Sequence, residues 1–122
     1  MSKRVLVVED NELNLKLFCD LLRAHGHETV PVRDGRDAFG QAQAFAPDLI
    51  ITDIQLPHVT GLDLIESFRA DAKLAQVPIM AVTAYAGVGD EERIRAAGAS
   101  AYVSKPISVI RFMEVVNSLI RP

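Results

Sequence analysis

Short apolar runs alternate with segments of helical periodicity along the whole chain, and this alternation restricts the fold more than any other feature. Residues 5–8 and 49–51 are continuous aliphatic runs, as expected for strands covered on both faces of a parallel sheet. Further strands are predicted at 28–32, 77–82 and 101–103. Strands that alternate with helices in this way indicate βαβ units with helices on both faces of the sheet.

Right-handed crossovers leave few ways of ordering such strands. The predicted fold is therefore α/β: a flavodoxin-like, doubly wound, five-stranded parallel sheet in the order 2-1-3-4-5, with five helices. The length of 122 residues suits one domain spanning 1–122, which buries enough surface for a core of its own.

Helix boundaries are predicted from apolar spacing and capping residues. The first helix should end before Gly26, and it is predicted from apolar residues that recur every four positions and from two others beside them: Leu13, Leu17, Leu21, Phe18 and Leu22. Caps are predicted at the starts of the second, third and last helices: Asp34, Thr60 and Ser108. The last helix carries more apolar residues than one stripe needs, so it predicts either an exposed patch for a partner or a wide helix–sheet interface.

Composition and charge exclude several classes of protein. The formal net charge is −3 and the longest basic cluster is Lys3 with Arg4, whereas nucleic-acid binders usually carry a basic surplus. The longest uncharged apolar run, residues 46–52, is far too short to span a membrane. Cys19 is the single cysteine, which excludes an internal disulfide and suggests a packing residue. We therefore expect a cytoplasmic protein with no DNA partner and no membrane insertion.

Polar side chains follow the predicted strands at their carboxyl ends. Glu9 and Asp10 come after the first strand, Asp53 ends the third, Thr83 ends the fourth, and the fifth leads to Lys105. Ligands of open α/β sheets bind outside the carboxyl ends of the strands. The sequence therefore predicts that three acids, a hydroxyl and an amine share one small site.

Three clustered carboxylates require a cation or shifted pKa values, because a pair about 4 Å apart repels by roughly 4 kcal/mol at an effective dielectric constant of 20. An all-oxygen set with few carboxylates favours Mg²⁺ over Ca²⁺, and no calcium-loop motif occurs. Transition metals are disfavoured, since Cys19 and the three histidines form no ligand-spaced cluster. His25 and His27 are expected to be exposed in a turn, and His58 to lie in a loop after Asp53.

Magnesium with a carboxylate, a hydroxyl and a lysine suggests phosphoryl chemistry. A carboxylate can attack phosphorus and form an acyl phosphate, and catalysis then consists mostly of positioning and charge stabilisation. Lys105 would stabilise one phosphoryl oxygen, and Thr83 would donate a hydrogen bond to another.

Segments around this cluster resemble the signature segments of bacterial two-component response-regulator receiver domains, which have a CheY-like fold. The resemblance covers essentially the whole chain and rests on four segments: residues 5–11, 49–57, 82–84 and 102–106. Three segments in particular resemble single-domain regulators of cell division: residues 9–14, 90–95 and 104–109. It implies a stand-alone switch in a phosphorelay, a phosphoprotein rather than an enzyme acting on other substrates.

The resemblance also implies roles for single residues. Asp53 would accept the phosphoryl group, Thr83 and Lys105 would bind its oxygens, and Mg²⁺, with Mn²⁺ as a substitute, would be held by the following groups: Asp10, Asp53, the backbone carbonyl of Gln55 and, through water, Glu9. Tyr102 and Thr83 would be the switch residues, and the bond before Pro106 would be cis. Gln55 and Tyr85 would tune the lifetime of the acyl phosphate.

The partners implied are histidine kinases or phosphatases and phosphotransfer proteins, with recruitment to cell poles through partner kinases and with a monomer or weak homodimer as the oligomeric state. Two rival functions fit the sequence less well. A magnesium phosphohydrolase would need a general acid–base near the nucleophile, but position 55 is Gln and not an acid. A DNA-binding transcription regulator would need a basic helix, which the sequence lacks.

Overall fold

Five parallel strands form a single sheet with helices on both faces. The computed structural model describes residues 3–84 and 89–120. The strands are β1 (Arg4–Val8), β2 (Glu28–Val32), β3 (Leu49–Asp53), β4 (Ile79–Thr83) and β5 (Ala101–Ser104). The helices are α1 (Glu12–Ala24), α2 (Gly35–Phe45), α3 (Gly61–Ala70), α4 (Asp90–Ala97) and α5 (Val109–Leu119). The spatial order β2-β1-β3-β4-β5 confirms the predicted flavodoxin-like fold.

The register of the sheet brings the carboxyl ends of the central strands to one edge. Val8 of β1 is paired with Thr52 of β3, and Asp53 is paired with Val82 of β4. Thr83 is in turn paired with Ser104 at the end of β5. The carboxyl ends of β1, β3, β4 and β5 therefore lie at one edge of the sheet.

Alternate residues of the strands face two separate hydrophobic cores, because successive side chains of a strand point to opposite faces. Val7 and Ile51 face α1 and α5, where the rings of Phe18 and Phe112 stack with their centroids 4.9 Å apart. Leu6, Ile50 and their neighbours face α2, α3 and α4. Covering both faces buries all five residues of β3 and of β4, as expected for central strands of a parallel sheet.

The apolar residues that predict α1 are only partly buried. Leu13 is 79% exposed and Leu17 is 39% exposed. The residues of α1 that are buried follow the i, i+3, i+4, i+7 spacing: Leu15, Phe18, Cys19 and Leu22. Leucines occur on more than one side of this helix, and the position of the sheet and of α5 decides which side is buried.

Helix caps agree with the sequence prediction. The side chains of Asp34, Thr60 and Ser108 accept hydrogen bonds from the first turns of α2, α3 and α5. The cap of α1, Asn11, which accepts from the Asn14 N–H at 3.0 Å, was not predicted. Of the extra apolar residues near α5, Met113 and Val115 are buried, Ile120 is half-buried and Ile110 is exposed.

Two other expectations need correction. His27 is buried rather than exposed, because it directly precedes β2 and its Nδ1 lies 3.3 Å from the Lys3 backbone nitrogen; burial lowers the pKa of this imidazole. Strand β4 begins at Ile79, two residues later than predicted, because Val77 lies in the turn that Arg69 binds. Among the described residues, no helix is long and apolar enough to cross a membrane.

Candidate functional site: an acidic cluster bridged by a lysine

Three carboxylates meet at the carboxyl edge of the sheet. Glu9 and Asp10 directly follow β1 and Asp53 ends β3. One oxygen from each lies within 4.8 Å of the others. Glu9 and Asp53 are buried, whereas Asp10 is exposed at the mouth of the cluster. The three carboxylates lie close together because β1 and β3 are parallel neighbours and end at the same edge of the sheet.

Lys105 bridges the two buried acids. Its Nζ lies 2.8 Å from Asp53 Oδ2 and 3.0 Å from Glu9 Oε1. The contact with Asp53 is a hydrogen bond, whereas the contact with Glu9 is an ion pair without hydrogen-bond geometry. The backbone N–H of Lys105 donates to the carbonyl of Thr83 at 2.8 Å, and the Lys105–Pro106 peptide bond is cis. The end of β4 and the residues after β5 therefore hold the amine in place.

Backbone N–H groups hold the outer oxygens of the same two acids. Gln55 N–H donates to Asp53 Oδ1 at 3.1 Å, and Asn11 N–H donates to Glu9 Oε2 at 3.2 Å. Each oxygen of Asp53 therefore has a separate donor, Lys105 for Oδ2 and Gln55 for Oδ1. A carboxylate held in this way has little rotational freedom.

Electrostatics indicate that the cluster carries more negative charge than its lysine compensates. Burial, and then the neighbouring charge of Asp53, raise the pKa of Glu9 to about 7 from its ordinary value of 4.5, although the Lys105 ammonium acts in the opposite direction. Burial acts to lower the pKa of Lys105, but the contacts of its ammonium group with the Asp53 and Glu9 carboxylates outweigh burial and raise the pKa above its usual value. Three acids facing one amine leave room for a further cation.

The donor set fits a hard divalent cation such as Mg²⁺ or Mn²⁺. All three side chains offer oxygen, which these ions prefer over nitrogen or sulfur ligands. The exposed Asp10 leaves one side of the cluster open to solvent, which suits an ion that keeps several of its waters.

The remaining predicted residues surround the cluster at different depths. Thr83 is buried at the end of β4, where it lines a groove of about 280 Å³ together with Gln55 and the first turn of α4. Tyr102 is half-buried in β5 and packs beside the core under α2, α3 and α4. It also lines a cavity of about 390 Å³ between α4 and α5. Tyr85 lies outside the described residues.

Sequence reasoning missed two residues that contact this site. Asn11 donates its N–H to Glu9, and its place directly after Glu9-Asp10 as the cap of α1 was a signal for it. Gly61 lies against the backbone of Asp53, and only the fold brings the start of α3 onto the end of β3.

The fold and this cluster together define a receiver domain. The model of the response regulator receiver domain family matches residues 5–117, and this chain belongs to that family. The Polar-differentiation response regulator DivK of Brucella ovis is 53% identical over 118 residues, covering 97% of this chain and 96% of the relative. DivK of Brucella anthropi is similar to the same extent.

Solved structures agree with this assignment. The receiver domain of sensor histidine kinase PA1611 from Pseudomonas aeruginosa, 32% identical, has a TM-score of 0.89 over 98% of each chain, and a magnesium ion is coordinated in its active-site cleft. The chemotaxis response regulator CheY4 of Vibrio cholerae, 24% identical, has a TM-score of 0.92 over 98% of this chain and 99% of its own, and supports the fold.

Proposed function

We propose that this chain is a single receiver domain, spanning 1–122, that accepts a phosphoryl group on Asp53 in a Mg²⁺-dependent reaction. The observation that carries the proposal is the Lys105 bridge between two buried acids, Asp53 and Glu9, with the exposed Asp10 beside them. An ion pair that served only to stabilise the fold would need one carboxylate for one ammonium group. Three acids around one amine suit a site that binds a cation and then an anion.

The reaction is a phosphoryl transfer from a phosphohistidine of a partner. An oxygen of Asp53 attacks phosphorus, the phosphorus–nitrogen bond breaks, and its electron pair returns to the imidazole, which then takes a proton from solvent. Lys105 moves from the carboxylate to a phosphoryl oxygen, and Thr83 donates to another. Asp10, Asp53, the Gln55 carbonyl and, through water, Glu9 would hold Mg²⁺. Bound Mg²⁺ supplies charge neutralisation on the transferred group.

Signalling follows from a shift between two conformations. Phosphorylation would favour the state in which Thr83 reaches the phosphoryl group and Tyr102 turns inward, which changes the surface formed by α4, β5 and α5. The groove beside Thr83 and the cavity beside Tyr102 give both side chains space to move. Gln55 is exposed beside Asp53. Gln55 and Tyr85 would tune the lifetime of the acyl phosphate.

The output of such a switch is a protein contact rather than turnover of a substrate. We propose histidine kinases or phosphatases and phosphotransfer proteins as partners, a cytoplasmic location with recruitment to cell poles by the kinases, and a role in cell-cycle control. The polar-differentiation name and 53% identity of the DivK relatives support this assignment. The proposed oligomeric state is a monomer or weak homodimer, and no DNA contact or membrane insertion is proposed.

The test is incubation with acetyl phosphate, with Mg²⁺ or with EDTA, followed by intact mass spectrometry and peptide mapping. We expect one phosphoryl group, localised to Asp53, that forms only with Mg²⁺ and is absent in Asp53→Asn. Asp20→Asn is the matched control, because this aspartate lies in an exposed ion pair on α1. An adduct of equal yield in Asp53→Asn, or in EDTA, would refute the proposal.

A short-lived acyl phosphate would escape mass spectrometry, so a second measurement is needed. Beryllofluoride mimics the phosphoryl group on a carboxylate without hydrolysing. We expect it to shift amide resonances near Asp53 and Thr83 in the Mg²⁺-loaded protein and to leave Asp53→Asn unchanged. Turnover of a generic phosphate monoester by the wild type would instead support the phosphohydrolase reading.

A further inference from the structure

Gly61, the first residue of α3, lies directly against the backbone that carries Asp53. A Cβ atom at position 61 would lie 2.6 Å from Ile54 Cα and closer still to the Asp53 carbonyl oxygen, whereas real Cβ contacts essentially never fall below 3.0 Å. Both neighbours are backbone atoms at the end of β3, so neither can rotate away. Even alanine at this position would force α3 and the end of β3 apart.

A hydrogen bond connects the same glycine to the reactive carboxylate through a single peptide group. Gly61 N–H donates to the Ile54 carbonyl at 2.8 Å. The N–H of that same peptide group belongs to Gln55, and it donates to Asp53 Oδ1 at 3.1 Å. The carbonyl oxygen of the Ile54–Gln55 peptide therefore accepts a hydrogen bond from the start of α3. The N–H of the same peptide donates to the Asp53 carboxylate.

We infer that Gly61 is a positioning residue for the reaction of Asp53, an inference that rests on the proposed function. Lys105 orients Oδ2 and the Ile54–Gln55 peptide orients Oδ1, so a displacement of that peptide rotates the nucleophile away from its position. The same displacement moves the Gln55 carbonyl. A misplacement of about 1 Å can reduce a reaction rate by about 100-fold.

The first test compares Gly61→Ala with Gly40→Ala. A Cβ at Gly40, inside α2, would meet no atom within 4 Å, so this variant controls for the general effect of alanine on a helix. With acetyl phosphate and Mg²⁺, we expect phosphorylation about 100-fold slower in Gly61→Ala and within about two-fold of wild type in Gly40→Ala. Equal rates in a folded Gly61→Ala protein would overturn the inference.

The Gln55 amide provides a readout that a purely structural role would not change. In folded Gly61→Ala we expect its amide proton resonance to move upfield, because its hydrogen bond to Asp53 lengthens, while the amides of α1 and α5 stay unchanged. A Gln55 resonance identical to that of wild type would contradict the inference. This measurement needs no phosphoryl donor, so it separates failure of the Gly61 role from failure of the proposed function.

If Gly61→Ala does not fold, Asp53→Ala with an intact glycine takes its place. Removing the acceptor of the Gln55 N–H should loosen the shared peptide, so the Gly61 amide should exchange with solvent roughly 10-fold faster. The Leu64 amide, which donates to Thr60 at 3.1 Å in the same first turn, serves as the internal control and should keep its exchange rate. Unchanged exchange at Gly61 would overturn the inference.

Discussion

Glu9 is a buried carboxylate beside a second acid, so replacing it with glutamine should change how the stability of the metal-free protein depends on pH. Its side chain is 1% exposed, and burial with the charge of Asp53 raises its pKa to about 7 from 4.5. The folded protein therefore binds this proton more tightly than the unfolded chain does. The stabilisation is fully present below pH 4.5 and is lost as pH rises through about 7.

The size of the effect follows from the shift in pKa. Moving from 4.5 to about 7 corresponds to roughly 3 kcal/mol of unfolding free energy. Between about pH 4.5 and 8.5, wild type should therefore lose roughly 3 kcal/mol relative to Glu9→Gln, which has no proton to lose at this position. Each protein is compared with itself at different pH values. Any effect of the substitution on the unfolding free energy that does not depend on pH therefore cancels.

The assay is urea unfolding in EDTA at several pH values across this range, followed by circular dichroism. Glu66→Gln is the control, because Glu66 is exposed on α3, and its stability should change with pH in parallel with wild type. Mg²⁺ at saturation should reduce the loss in wild type, because a bound cation compensates the charge of Glu9. If Glu9→Gln and wild type lose stability in parallel in EDTA, the electrostatic account of this site is wrong.

Four further substitutions test other parts of the structure by urea unfolding. Lys105→Met in EDTA should lose about 2 kcal/mol, because two buried acids lose their shared cation, and Mg²⁺ should restore part of that loss; no loss would contradict the bridging role. Arg69→Ala should lose about 3 kcal/mol, because Arg69 donates four hydrogen bonds, to three backbone carbonyls and to one hydroxyl; a change below about 0.5 kcal/mol would refute this. Leu22→Ala should lose about 2–5 kcal/mol and Leu13→Ala less than about 1 kcal/mol, and the reverse order would contradict the burial of α1.

The order of strands and the composition of the site followed from the sequence for a physical reason. Parallel βαβ units place the carboxyl ends of all strands on one edge, so a residue that follows a strand is assigned to that edge before any coordinates exist. Asp53 and Lys105 are 52 positions apart, yet both were placed at this edge, where their side chains are 2.8 Å apart.

Other features depended on tertiary packing. Leucines of α1 occupy more than one side of the helix, so the choice of Leu15 over Leu13 was made by the sheet and α5 beneath it. The burial of His27 likewise depends on how the turn after α1 packs beside Lys3. Local spacing carries no information about which of two apolar sides meets a core.

The sequence alone determined which residues reach the carboxyl edge of the sheet. Each βαβ unit follows from a local sequence pattern, and every parallel strand ends at that same edge. Tertiary structure alone decided how those residues are held. The raised pKa of Glu9 depends on burial between strands, and the requirement for glycine at position 61 depends on the start of α3 touching the end of β3. Desolvation and close backbone approach arise between distant segments, so neither can be read from spacing along the chain.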